Sequence, residues 1–519
     1  MDKPAMTGNE AAWPLGEQAL KKRKAPFAAD RWDSYFALFA FVLGFLYARW
    51  VLFAWQGWGV TLFTLLFCGS VLLYLQKKGV RLPKAGWLWL AVVLLLGLSF
   101  SLWSNNGLVL WPGLLLFCSA VYWILCANGL LMQGKTGDLL LLDGYNALIV
   151  IPFGNFGCQY RGLALLGSNK LNRGRHIFSI ALGLLLAFIV AAMVFPLLLA
   201  ADSGGFAQLI NSILKGFQGF GYKFWEIFWQ LLLAIPIAAY MFGLVAGSAH
   251  KRGTDLFAKD SALQKLSGLR ILPMTTVYIL MVLLCALYLV FIGSQMPYFF
   301  SAFAGQLPEG WQAYAAYARS GFFELCRIAV INLFVLIAAN VMGQKHWRDN
   351  MLLKLLNVLL ALLTLVLITT AFSKMALYIG AYGLSMRRLL PCVFMIFMAV
   401  IYGSVIALQK WSFSITRLAV GVGAVIFCML CLVNPDSLVA EYNANRYLAG
   451  TLEHFDVETV YRAGPAGVDA ALKVYEQTNE PELKEYLLDQ RRQAEEAAGK
   501  PADSLERAWA RHKISEYFE

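Results

Sequence analysis

The chain has 519 residues; 59% are hydrophobic, 14% are charged, and the formal net charge is +12. About a quarter of an ordinary soluble domain is charged, so this balance excludes a soluble enzyme. Apolar blocks of roughly 20 residues read instead as bilayer-spanning helices, which satisfy their own backbone hydrogen bonds. The alternating strands of about ten residues that build outer-membrane barrels are not in the pattern.

Residues 1–31 are polar and carry the basic run Lys21-Lys22-Arg23-Lys24. The apolar run behind them is too long for a cleaved signal peptide and predicts an uncleaved first span. Hydropathy predicts eleven spans, at 34–50, 60–75, 86–103, 108–131, 177–201, 224–249, 272–294, 322–342, 352–372, 389–408 and 415–433. The expected fold is therefore all-α. A polytopic transmembrane helix bundle of about 11 spans covers residues 32–433, preceded by a cytoplasmic segment (1–31) and followed by a small helical C-terminal tail (434–519).

Three stretches between spans are neither span nor plain loop. Residues 139–156 are apolar but broken by Asp143, Gly144, Asn146 and Pro152, which predicts a re-entrant or interfacial segment. Residues 206–217 repeat apolar positions at helical spacing and are expected to lie flat on the outer surface. The aromatic-rich stretch 295–318 is likewise read as interfacial. Beyond Asn445, short apolar stripes punctuated by Pro481, Gly499 and Pro501 predict two to four short helices.

Alternating spans from a cytoplasmic N-terminus place 25 of the 33 Lys and Arg before residue 434 on the cytoplasmic side. The positive-inside bias favours that orientation, and an odd number of spans puts the tail outside. The tail has 10 Lys/Arg and 17 Asp/Glu, consistent with an outer location. The overall basic balance is assigned to loops facing anionic lipid, not to nucleic acid. Membrane lipid is thus the expected partner, with the tail open to a protein partner.

The cysteines are scattered through apolar blocks, where they read as small buried hydrophobes; Cys428-x-x-Cys431 lies inside the last span, against a redox role. The five histidines show no metal-ligand spacing. No metal and no cofactor are expected. The chain has no Gly-x-x-x-x-Gly-Lys-Ser/Thr phosphate loop and no His-Glu-x-x-His, which disfavours an ATPase and a metalloprotease.

The informative charges are the exceptions to the orientation rule. Arg319, Arg327, Lys374, Arg387 and Arg388 all fall on the outer side between residues 319 and 388. Together with Glu324, Asn434 and Asp436 they are distant in sequence but level in depth, at four helix ends. Lys374, Tyr378 and Tyr382 repeat every four residues and share a face if the helix continues, whereas Gly380 and Gly383 suggest a bend. The cluster offers positive charge to an anionic ligand such as a phosphate or carboxylate. Alternatively the charges satisfy one another, Glu324 with Arg327 and Asp436 with Arg387 or Arg388.

Three stretches carry a family resemblance: Tyr317-Ala-Arg-Ser-Gly-Phe-Phe-Glu-Leu325; Ser373-Lys-Met-Ala-Leu-Tyr-Ile-Gly-Ala-Tyr-Gly-Leu-Ser385 with Arg387-Arg388; and Asn434-Pro-Asp-Ser-Leu-Val-Ala-Glu-Tyr-Asn-Ala-Asn-Arg446. With Pro152-Phe-Gly-Asn155, they resemble a bacterial membrane family, domain of unknown function 4173, and the related domain of unknown function 4153. Lys374 stands where that pattern has Arg, and Ser385 where it has Thr. The resemblance implies a multi-pass bacterial plasma-membrane protein and brings Asn443 and Arg446 into the candidate site, but implies no reaction. Three functions follow as expectations: transport or export of an anionic solute or lipid-linked envelope component; an extracytoplasmic transferase on a lipid-linked substrate, with Glu324 or Asp436 as base; and a non-catalytic scaffold or sensor.

Overall fold

The computed structural model describes residues 27–104, 106–108, 110–165, 222–252, 268–303, 314–344 and 350–518, with isolated positions between 183 and 209. The described elements are helical, joined by one isolated bridge between Leu272 and Gly343. In chain order they are α1 (Arg31–Leu46, running on as a π-helical segment, Tyr47–Phe53), α2 (Trp58–Lys77), α3 (Lys84–Leu102), α4 (Trp111–Ala127), α5 (Leu140–Gly154), α6 (Cys158–Ala164) and α7 (Tyr222–Ala249). The second half holds α8 (Met274–Phe303), α9 (Tyr314–Met342), α10 (Met351–Tyr382), α11 (Met386–Leu408) and α12 (Ile415–Val433). The tail comprises α13 (Pro435–Leu448), α14 (Val457–Ala463), α15 (Val468–Thr478), α16 (Pro481–Ala497) and α17 (Leu505–Phe518).

Nine described helices are long and apolar enough to cross a membrane: α1, α2, α3 and α7 to α12. Of the two other predicted spans, 108–131 contains the shorter apolar helix α4, and 177–201 lies outside the described residues apart from isolated positions, as does the expected surface helix at 206–217. The stretch 295–318 is helical where it is described and lies beyond the apolar windows of the two adjoining spans. Its first part continues α8 to Phe303 and its last part opens α9 at Tyr314.

The bundle has two apolar cores. One joins α1 to α7, and the other joins α8 to α11. Helix α12 links them, packing on α3 and α11 and contributing Cys428 and Cys431 to the first core. A third core lies within the tail, around Leu483, Tyr486 and Leu487.

Local chemistry sets the joints. Asp30 and Asp33 form a reciprocal capping box that starts α1. Between α1 and α2 the chain turns through Trp55 (φ +62°) and Gly57 (φ +88°). Gly57 is required, since a Cβ there would strike the backbone of Ala502 and Asp503. After α12, Asn434 adopts a left-handed conformation and caps α13, whose first residue is Pro435.

The two faces of the bundle are defined by contact. On one face, Lys78 at the end of α2 and His250 at the end of α7 both meet Asp33 at the start of α1. Both ends of α5 belong to this face: Asp143 accepts from the Met132 amide beyond α4, and Asn155 accepts from Arg252 beyond α7. The segment thus begins and ends on one side of the bundle, an arrangement compatible with either a re-entrant or an interfacial segment. The tail covers the opposite face. Trp58 and Gly59 amides donate to the Asp503 and Pro501 carbonyls at 2.9 and 3.0 Å, and the Ser104 amide donates to Glu506 at 2.8 Å.

Candidate functional site

The predicted polar residues all lie on the tail-covered face, but they divide into three groups with different work. The first is the rim of the second half. The chain turns at Gly321 (φ +101°), and Glu324 accepts from its amide at 2.9 Å, capping the spanning part of α9. A Cβ on Gly321 would come within 2.9 Å of the Lys374 ammonium, so that position brings the lysine against the start of the span. Glu324, Arg327 and Arg387 are exposed, and Lys374 is half-buried. Arg319 lies on α9, and its side chain is outside the described residues.

The second group fastens the end of α10. This helix continues unbroken through Gly380 to Tyr382 and stops at Gly383 (φ +76°), so of the two glycines read as a bend only Gly383 ends the helix. An isolated glycine costs a long packed helix too little to break it. Lys374, Tyr378 and Tyr382 therefore follow one face, with the two tyrosine rings 5.4 Å apart. The Arg388 guanidinium stacks over Tyr378 at 4.2 Å and donates to the Tyr382 and Gly383 carbonyls. Asn443 accepts from the Leu384 amide and donates to the Leu384 carbonyl, while Arg446 donates to the Ile379 and Thr451 carbonyls. These side chains cap a helix C-terminus.

The third group is buried beneath the tail. Asp436, 2% exposed, accepts from the Gly107 amide at 2.8 Å. Asn434 donates to Glu506, whose other oxygen accepts from the Ser104 amide at 2.8 Å. Burial pushes the Asp436 carboxyl up to about 6; the Gly107 hydrogen bond pulls it down, and the Glu506 charge pushes it further up. Burial also raises Glu506, against hydrogen bonds from Ser104 and Asn434. Among the described residues, neither Glu324 with Arg327 nor Asp436 with Arg387 or Arg388 comes within ion-pair distance. Asp436 bonds a backbone amide, Glu324 caps Gly321, and Arg388 bonds carbonyls.

Two features escaped the sequence. Glu506 joins the buried acid pair from the far end of the tail. On the opposite face, fully buried Asp33 accepts from Tyr74 (2.6 Å) and pairs with Lys78 (2.9 Å) and His250 (3.1 Å). Alternation of the spans puts Asp33, Lys78 and His250 at helix ends of one face, and that signal was available in the sequence.

No curated protein and no solved structure matches this chain. A family profile does match, over residues 90–474. That interval holds the rim, the α10 cap and Asp436, and leaves out Asp33, Lys78 and Glu506. It is the second of the two families that the motifs resemble. The chain is an integral membrane protein and belongs to the family described as Domain of unknown function (DUF4153).

Proposed function

We propose that this is a multi-pass protein of a bacterial plasma membrane, N-terminus inside and tail outside, that binds an anionic solute or lipid-linked headgroup at its outer rim during transport or export. The carrying observation is the charge excess at that rim. Among the described residues, Arg327 and Arg387 are exposed at the ends of α9 and α11, with Glu324 as the neighbouring carboxylate, and that carboxylate is taken up by the Gly321 amide. Guanidinium groups at that level suit phosphate or carboxylate oxygens.

A polar ladder below the rim favours transport over a transferase. Asn332 bonds Tyr288 at 2.7 Å and Thr364 at 2.9 Å, and deeper in the bundle Asn340 and Asn357 bond reciprocally. The two carboxylates a transferase would use are less suited to act as bases. Asp436 is buried against Gly107, and Glu324 is held as a cap.

The test is lipid retention in nanodiscs containing phosphatidylglycerol and phosphatidylcholine, read by native mass spectrometry. The wild type should hold phosphatidylglycerol preferentially, and the Arg327→Ala/Arg387→Ala variant should lose that preference by about tenfold. Equal retention of both lipids by the wild type contradicts the proposal.

A further inference from the structure

A second site lies in the other half of the bundle and does not depend on the rim. A cavity of about 360 Å³ sits among α1, α2, α3, α4 and α7. Its volume falls within the range of ligand pockets, about 300–1,000 Å³. Among its lining residues are Tyr47, Thr64, Phe67, Gly113, Val121 and Tyr240.

The wall presents almost no polar group to the space. The Thr64 hydroxyl donates to the Val60 carbonyl at 2.8 Å, and the Tyr240 hydroxyl donates to the Leu148 carbonyl at 3.0 Å. A void without polar partners does not hold ordered water. Along α4 the lining runs from Leu110 to Val121, about 16 Å at 1.5 Å per residue. That is about half of a ~30 Å hydrocarbon core, the depth of one leaflet.

The cavity is a cleft with an open side. Leu110, Leu114 and Phe117 are exposed at its edge and follow one stripe of α4, facing exposed Leu52 and Trp55 beyond α1. The wall on that side is the π-helical segment Tyr47–Phe53, which supplies Tyr47, Val51 and Leu52. Segments of this kind are rare and gather at functional sites. Above the cleft, the 57–59 turn is bonded to the tail at Pro501 and Asp503.

We infer that the cleft binds one acyl chain of a membrane lipid, entering sideways between α4 and the π-helical segment. The apolar wall, the depth of one leaflet and the lateral opening within spanning helices all select a hydrocarbon chain.

The experiment uses the full chain in nanodiscs doped with a phospholipid carrying a diazirine midway along one acyl chain, with adducts mapped by peptide mass spectrometry. Adducts should concentrate on residues 60–67 and 110–121. A Cβ on Gly113 meets nothing within 4 Å, so Gly113→Leu fills the cleft without a backbone clash. It should reduce those adducts by about tenfold. Gly69 has equal room but does not line the cleft, so Gly69→Leu should leave them unchanged. Adducts spread evenly over the lipid-facing helices of the wild type, or undiminished in Gly113→Leu, would overturn the inference. Loss of rim selectivity in Arg327→Ala/Arg387→Ala leaves this labelling unaffected, so the two sites succeed or fail separately.

Discussion

Asn443 grips Leu384 through both ends of its side-chain amide, accepting from the backbone N–H at 2.7 Å and donating to the carbonyl at 2.8 Å. One tail residue thereby fixes the turn from α10 to α11 and, with it, the start of the helix that carries Arg387 and Arg388. The rim and the tail are parts of one construction.

Asn443→Ala should cost about 2–3 kcal/mol, since it removes two hydrogen bonds and leaves the N–H and C=O of half-buried Leu384 without them. Gly383→Ala should act on the same contact, because its Cβ would lie 2.6 Å from the Asn443 amide oxygen in a backbone region hostile to side chains. Thermal melting in detergent checks both; unchanged melting of either variant removes the clamp.

Neighbouring arginines should behave oppositely. Arg388 is used up on two carbonyls and the Tyr378 ring, so Arg388→Ala should lower stability by about 1–3 kcal/mol. Arg387 is exposed, with no bonding partner among the described residues. Arg387→Ala should leave melting unchanged and reduce phosphatidylglycerol retention. The reverse pattern would transfer the ligand role to Arg388.

Docking of the tail should weaken as pH rises. The folded Asp436 carboxyl titrates at about 6 against an ordinary 3.8, so the folded state holds the proton the free chain has released. Its contribution is fully present below about pH 4, is lost between there and about pH 6, and is flat above. That interval is worth at most about 3 kcal/mol, and Glu506 acts with the same sign. Limited proteolysis should cut the tail more slowly at pH 5 than at pH 7.5. Asp436→Asn should reduce the difference, and an unaltered pH dependence in that variant would exclude Asp436 as its source.

The Asp33 network on the opposite face should be a strong joint. Lys78→Met leaves a fully buried carboxylate short of a cation and should cost about 3–5 kcal/mol. Adding Asp33→Asn should recover part of that loss. A double variant weaker by the sum of the single losses would show that the residues do not act together.

The spans were legible because a bilayer demands long apolar helices. The end of α12 was legible because Asn434-Pro435 stops one helix and starts the next. Depth was legible too, since alternation alone put Glu324, Lys374, Arg387 and Asp436 on one face. Partners were not. Whether Asp436 meets an arginine or the Gly107 amide depends on contacts across 329 residues of chain, and hydropathy carries no record of such contacts. The same blindness hid Glu506; alternation puts Asp33, Lys78 and His250 on one face, but it carries no record of their bonding to one another. The π-helical form of residues 47–53 and the positive φ of Trp55 were not legible, because neither leaves a mark in an apolar run.

In the orientation we propose, the tail and the rim face outward while the Asp33 face looks inward. Impermeant maleimide labelling tests it most directly, since every native cysteine among the described residues is buried or half-buried. Lys500→Cys lies in an exposed turn of the tail, and Lys135→Cys lies on the opposite face, beyond α4. In intact cells the reagent should label the Lys500→Cys protein, and it should reach the Lys135→Cys protein only after permeabilisation. Labelling of Lys135→Cys alone in intact cells would invert the molecule and contradict an outward-facing site.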